Sequence, residues 1–155
     1  MGCANQRTPF FTQSMDYTLR KNEKLTSRTA VNRLFDEGKS LMAFPLRAAY
    51  RLREPGENNV QILISIPKKR IRRAVNRVTL RRRVRESYRL ARRELLTPAL
   101  EQHGTGVDIA FVYLDTTPAP YSVIAEKMAS LLTRIAQAAA QDGAKTDNPN
   151  PEPRQ

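Results

Sequence analysis

Apolar residues recur at two different spacings along this chain, and the switches between them mark out its elements. Ala30, Val31, Leu34 and Phe35 fall at helical spacing behind Thr26 and Ser27, either of which can cap a helix. Gly38 is expected to end that helix as a C-terminal glycine. From Leu41 to Leu52 the period shortens to two, with Phe44, Leu46, Ala48, Tyr50 and Leu52 on one face and Arg47, Arg51 and Arg53 outward. The turn-forming run 54–59 separates this strand from a second, Val60 to Ile66, apolar enough to be central in its sheet. The two strands read as an antiparallel hairpin. Pro67 closes it, and a loop from Lys68 to Arg73 leads into a long helix from about Ala74 to Leu96. Pro98 and the Gly104/Gly106 pair end that helix. Val107 to Leu114 is a third strand, and Pro118 and Pro120 break the chain after it. The last helix runs from Tyr121 to about Gln141, with Ile124, Met128, Leu131, Leu132 and Ile135 facing inward.

The order helix, strand, strand, helix, strand, helix predicts an α+β fold. It is a two-layer α/β sandwich, a small and mostly antiparallel sheet with helices packed on it. Residues 1–20 show no periodicity and read as a flexible lead-in, 21–141 as one domain, and 142–155 as a disordered tail with no core-forming residues.

Charge changes this picture from a fold to a function class. Between Lys68 and Arg93 stand 13 Lys and Arg against one acid, Glu86, which equals the formal net charge of +12 for all 155 residues. Everything outside that stretch balances to zero. On the long helix, Leu80, Val84, Tyr88, Ala91 and Leu95 share one arc, and Arg81, Arg82, Arg85, Arg89, Arg92 and Arg93 cover a neighbouring flank. Arg81–Arg85 and Arg85–Arg89 are like-charge i,i+4 pairs, each unfavourable by a few tenths of a kcal/mol, roughly. A merely solvated helix intersperses Glu; this one suggests a face for a polyanion. Arg dominates, and its planar fork fits phosphate oxygens. Arg77 lies in line with the apolar arc in the first turn and is expected to point toward a cleft at the sheet edge.

The same composition narrows the chemistry. Cys3 is the single cysteine, which excludes an internal disulfide and a multi-Cys zinc site, and with His103 the single histidine neither a His-based metal site nor a His-driven acid–base pair is expected. Acids are scattered singly, with no paired carboxylates and no Gly-rich phosphate loop. No apolar run approaches the roughly 20 residues that span a bilayer. Neither a myristoylation signal (Gln6 stands where Ser or Thr is wanted) nor a secretory signal is supported. A cytoplasmic setting is expected.

Pro67–Lys69, then Arg72–Arg77 (RRAVNR), then Leu80–Arg89 (LRRRVRESYR) resemble the signature region of the bacterial ribonuclease P protein subunit. Val31–Ser40 (VNRLFDEGKS) resembles that family's first helix and its exit, and the likeness extends over about residues 19 to 137. The family's Arg-Asn-Arg is Arg77-Val78-Thr79 here, so only its first Arg is kept, with Arg81 and Arg82 as substitutes. Val31 replaces the earlier of two family aromatics, and Phe35 keeps the later.

The resemblance implies a protein cofactor of a catalytic RNA, one that assists removal of the 5′ leader from precursor tRNA. It implies that the RNA subunit carries the chemistry with Mg2+, and that the protein itself binds no cofactor and no metal. Its expected partners are ribonuclease P RNA and the single-stranded leader, with neither DNA nor membrane. The expected RNA-binding residues are Lys68, Lys69, Arg70, Arg72, Arg73, Arg77, Arg81, Arg82, Arg85 and Arg89. The expected leader cleft is lined by Val31, Phe35, Phe44 and Tyr50. For each of these aromatics ordinary core packing is the competing role.

Three alternatives share the charge. A structural RNA-binding protein, such as a ribosomal protein, would also lack catalytic residues. A DNA-binding factor would want base-reading Asn or Gln on the helix and a paired helix before it. A membrane-surface helix would want an aromatic and Leu face, and Tyr88 is the only aromatic there.

Overall fold

In the computed structural model the described residues are 23–54 and 60–145. The lead-in 1–20, most of the turn after Glu54 and the tail beyond 145 lie outside them. Helix α1 is Arg28–Glu37, strands β1 and β2 are Lys39–Ala43 and Leu46–Arg53, and β3 is Val60–Ser65. Helices α2 and α3 are Ala74–Leu95 and Thr97–His103, β4 is Gly106–Tyr113, and α4 is Tyr121–Lys145.

The α+β class and the helix-on-sheet layering stand, with corrections to the elements and their pairing. The single strand expected over Leu41–Leu52 is two, because Phe44-Pro45 (a cis peptide) makes a tight turn and folds β1 back on β2. The expected hairpin between β2 and β3 does not form. The sheet order is β1-β2-β4-β3, with β4 inserted between the two. β4 is antiparallel to β2 and parallel to β3, so the sheet is mixed. β3 is therefore an edge strand and β4 the central one, its residues buried at every position but Val112. Finally, a short helix, α3, separates α2 from β4, ending at Gly104 in the left-handed region (φ 57°). The last helix also continues to Lys145, past the expected start of the tail.

Alternation along the strands sorts side chains between two faces. Leu46, Ala48 and Tyr50 of β2, with Val107, Ile109, Phe111 and Tyr113 of β4, face the main core. There they meet Leu80, Val84 and Tyr88 of α2, Leu96 and Leu100 around α3, and Ile124, Met128, Leu131 and Ile135 of α4. Tyr88 and Phe111 pack as a tilted pair with ring centroids 5.8 Å apart, a geometry that contributes about 0.5–1.5 kcal/mol beyond burial.

The opposite face carries α1, whose Leu34 sits with Leu25, Ala49 and Ala110 in a second, smaller cluster. Ser27 caps this helix, its Oγ accepting from the Ala30 N–H. Gly38 ends it in an extended conformation (φ −73°), not a left-handed one. Its side-chain hydrogen is required for another reason: a Cβ there would lie 2.1 Å from the Leu34 carbonyl oxygen.

Polar ties fix the margins. Arg53 Nε donates to Asp108 Oδ1 at 2.8 Å across β2 and β4, with the Asp108 side chain only 5% exposed. On the outer strand β1, Arg134 of α4 donates to the Met42 carbonyl at 3.2 Å, and Lys39 meets Asp142 at 3.7 Å.

Candidate nucleic-acid interface

The basic stretch divides into a loop and a helix flank, and the loop is held from below. Pro67 accepts from the backbone N–H groups of Arg70 and Ile71, closing a turn. The Ile71 side chain is anchored in the main core. Arg77 Nη1 then donates to the carbonyls of Ile71 (2.9 Å) and Arg72 (2.6 Å). Arg77 thus folds back onto the loop and does not point into a cleft. A guanidinium beside the apolar arc must find acceptors, and the loop carbonyls supply them.

Clamped in this way, the loop turns its cations outward. Lys68, Lys69, Arg70, Arg72 and Arg73 are all exposed, as are Arg81, Arg82 and Arg85 on α2. Arg73 is the N-cap of α2 and makes no side-chain cap bond, and no acid stands in the first turn. The open N–H groups of that turn add partial positive charge to the same place.

A cavity of about 430 Å³ lies between this loop and the segment after β4, lined by Lys69, Arg70, Arg72, Arg73, Asn76 and Thr116, among others. Its far wall is fixed. The Tyr113 hydroxyl donates to the Thr117 carbonyl (2.6 Å) and accepts from the Ala119 N–H (2.9 Å). Arg83 donates to the Ala119 carbonyl (2.6 Å). Burial raises the Tyr113 hydroxyl above the ordinary phenol range.

The flank of six arginines does not act as one row. Arg89 is tied to Glu86, whose carboxyl is held below its usual range by that hydrogen bond. Arg92 is largely buried, paired with Glu23 and lying over the Tyr88 ring at 5.8 Å. Arg83, in contrast, faces the Ala119 side. Arg81, Arg82 and Arg85 remain as the exposed cations of the helix. Val75 and Val78 are exposed between them and the loop.

The expected cleft residues separate. Val31 packs into the small cluster under α1. Phe35 on α1 is 50% exposed, and Phe44 in the β1–β2 turn is 59% exposed. Tyr50 faces the other way, 5% exposed within the main core, because strand alternation places it opposite Ala49. It cannot join Val31 and Phe35.

Sequence reasoning missed a row that crosses the whole sheet on the α1 face: Met42, Arg47, Val112 and Ser65, in register from β1 through β2 and β4 to β3. Met42 and Arg47 are exposed, Val112 and Ser65 half-buried, and Arg47 Nε is held by Ser40 Oγ at 2.8 Å. The signal was present in the alternation itself, once Pro45 is taken as a turn.

Among the described residues no group of three or more His, Cys, Asp or Glu could hold a metal ion, and no helix is long and apolar enough to cross a membrane.

The family model described as Ribonuclease P matches residues 19–136. This chain belongs to the ribonuclease P protein family. A ribonuclease P protein component from Porphyromonas gingivalis is 36% identical over 126 residues, 81% of this chain and 91% of that one. A second, from Chlorobaculum tepidum, is 36% identical over 103 residues, 61% of this chain and 66% of that one. The fold agrees as well. The ribonuclease P protein from Thermotoga maritima superposes with a TM-score of 0.57 at 25% identity, over 72% of this chain and 96% of that structure. Family membership makes the chain a protein cofactor of ribonuclease P in tRNA 5′ processing, and the clamped basic loop and the α1 face of the sheet are its two candidate contact regions.

Proposed function

We propose a division of labour between these two regions. The exposed cations Lys68, Lys69, Arg70, Arg72, Arg73, Arg81, Arg82 and Arg85 dock phosphates of ribonuclease P RNA. Arg77 holds the loop in shape, and Arg89, tied to Glu86, stands at the margin. The sheet face beside α1 receives the single-stranded 5′ leader. Phe35 and Met42 offer apolar faces there, Phe44 is exposed in the turn that ends β1, and Arg47 stands as the cation between strands. Single-strand sites combine a cationic track with stacking faces in this way.

The RNA subunit, with its Mg2+, cleaves the phosphodiester. The protein raises substrate affinity and screens phosphate repulsion, and contributes no nucleophile. It works in the cytoplasm, on precursor tRNA.

One observation carries this reading. Eight exposed cations stand on a loop and helix start pinned by Arg77, and none of them forms an ion pair among the described residues. The test is reconstitution with a bacterial ribonuclease P RNA at low Mg2+. Leader cleavage should rise on adding the protein, and Phe35→Ala should reduce the preference for precursor over mature tRNA. A protein that bound RNA tightly but never stimulated cleavage would fit a structural RNA-binding role instead.

A further inference from the structure

The outer edge of β3 carries a feature that neither region uses. The segment just before α1 runs alongside this edge, with Lys24 bridging Ile62 in parallel and the Leu25 N–H donating to the Ile62 carbonyl at 2.8 Å. In a parallel ladder a residue turns both backbone groups to one side, and the next residue turns them to the other. The backbone N–H and C=O of Ile62 therefore point outward, and so do those of Ile64 two residues on. Beside Ile64 the flanking segment departs into α1, leaving a groove of about 190 Å³.

Its lining is two-natured. Leu25, Ile62, Leu63 and Ile64 make an apolar floor; Lys24, Arg81 and Arg85 make the rim, and no acid is among the lining residues. At this size the groove falls below the roughly 300–1,000 Å³ of pockets for drug-sized ligands, so it suits a single planar ring, not a helix or a long segment. Apolar walls exclude water from such a ring, the outward N–H and C=O of Ile64 can meet its polar edge, and the cations suit the phosphates on either side.

We propose that this groove seats one unpaired base of the catalytic RNA, with flanking phosphates on Lys24, Arg81 and Arg85. The proposal rests on the reading that α2 docks the RNA subunit, because Arg81 and Arg85 belong both to that face and to the groove. Charge decides the class of occupant: an apolar slot rimmed by three cations suits a nucleotide.

Thr26 is exposed at the groove's mouth, so Thr26→Trp fills it from outside, and Lys24→Gln removes one rim charge. Thr26→Trp should bind isolated ribonuclease P RNA about tenfold more weakly, the scale of roughly 1.4 kcal/mol of lost apolar burial, and Lys24→Gln should bind it a few-fold more weakly through one lost phosphate contact. Their ratio of precursor to mature tRNA affinity in the holoenzyme should stay at the wild-type value, unlike that of Phe35→Ala. In a Cys3→Ser background, Thr26→Cys carrying an azidophenacyl group should crosslink the RNA subunit at unpaired nucleotides. Wild-type RNA affinity in both variants, while Arg82→Ala binds more weakly, overturns the groove and leaves the basic face standing. If Arg82→Ala also binds as the wild type does, the basic-face reading fails with it. Crosslinks confined to paired RNA or to the leader overturn the proposal, and they decide the matter should Thr26→Trp fail to fold.

Discussion

Arg77 Nη1 donates to the Ile71 carbonyl at 2.9 Å, joining the first turn of α2 to the loop before it. Ile71 is itself sunk in the core, so the bond ties five exposed cations to a fixed point. Arg77→Ala should therefore act through shape as well as charge. Hydrogen bonds from charged groups contribute about 1.5–3 kcal/mol, so RNA affinity should fall roughly 10- to 100-fold. Trypsin should cut between Lys68 and Arg73 faster than in the wild type. Equal cutting rates would show that the clamp does not order the loop.

Binding should depend steeply on salt. If about five cations engage single-stranded phosphates, the log–log slope of affinity against salt should be about −3.5, from roughly −0.7 per phosphate. Filter binding at several KCl concentrations measures this, and a flat series would refute an electrostatic interface. Replacing Arg82 with Ala should make the slope shallower by roughly 0.7.

The two faces of the β1–β2 hairpin predict opposite phenotypes for its residues. Met42→Ala and Arg47→Ala, on the exposed face, should lower the ratio of precursor to mature tRNA affinity while leaving the thermal midpoint near the wild type. The stacking scale of about 1–3 kcal/mol sets the upper limit for each. Tyr50→Ala, in the main core, should instead cost about 3–5 kcal/mol of stability. Tyr50→Phe should leave leader preference unchanged, which direct binding measurements can check.

Alkaline pH should unfold the protein through Tyr88. Burial raises the Tyr88 hydroxyl well above its ordinary value of 10.0, against a smaller opposing effect from the Arg92 guanidinium. The folded state then holds a proton that the unfolded state releases. The stability this supplies is complete below pH 10 and declines as pH rises past it. Tyr88→Phe should flatten the decline in denaturant titrations between about pH 9.5 and 11, with a remainder left to Tyr113.

Gly38 should tolerate no side chain. A Cβ at that position would sit 2.1 Å from a backbone carbonyl oxygen that cannot move without unwinding α1. Gly38→Ala should lower stability by more than about 2 kcal/mol, read as a drop in the thermal midpoint. Gly104→Ala meets no atom within 4 Å and is strained only by its left-handed backbone, so its cost should be smaller, about 1 kcal/mol.

Much of this fold was legible, and the failures have definite physical origins. The start of α2 at Ala74, the strand from Val107 and the inward residues of the last helix follow from local periodicity. Strand pairing does not. β2 and β3 are neighbours in sequence with a turn between them, yet β4 lies between them in space. The hint was composition: VDIAFVYL is more continuously apolar than VQILISI, as a strand covered on both sides should be. Phe44 and Tyr50 share a parity in the sequence but not an environment, because Pro45 interrupts the strand that would have aligned them. The contact face was legible as charge, but its division was not. Which arginines stay exposed depends on partners such as Glu23, 69 residues from Arg92.

Arg134 reaches across to the Met42 carbonyl on the outermost strand. Any foreign segment trying to zip onto that rim would first have to displace this guanidinium from its acceptor. Self-association through this margin is thereby discouraged.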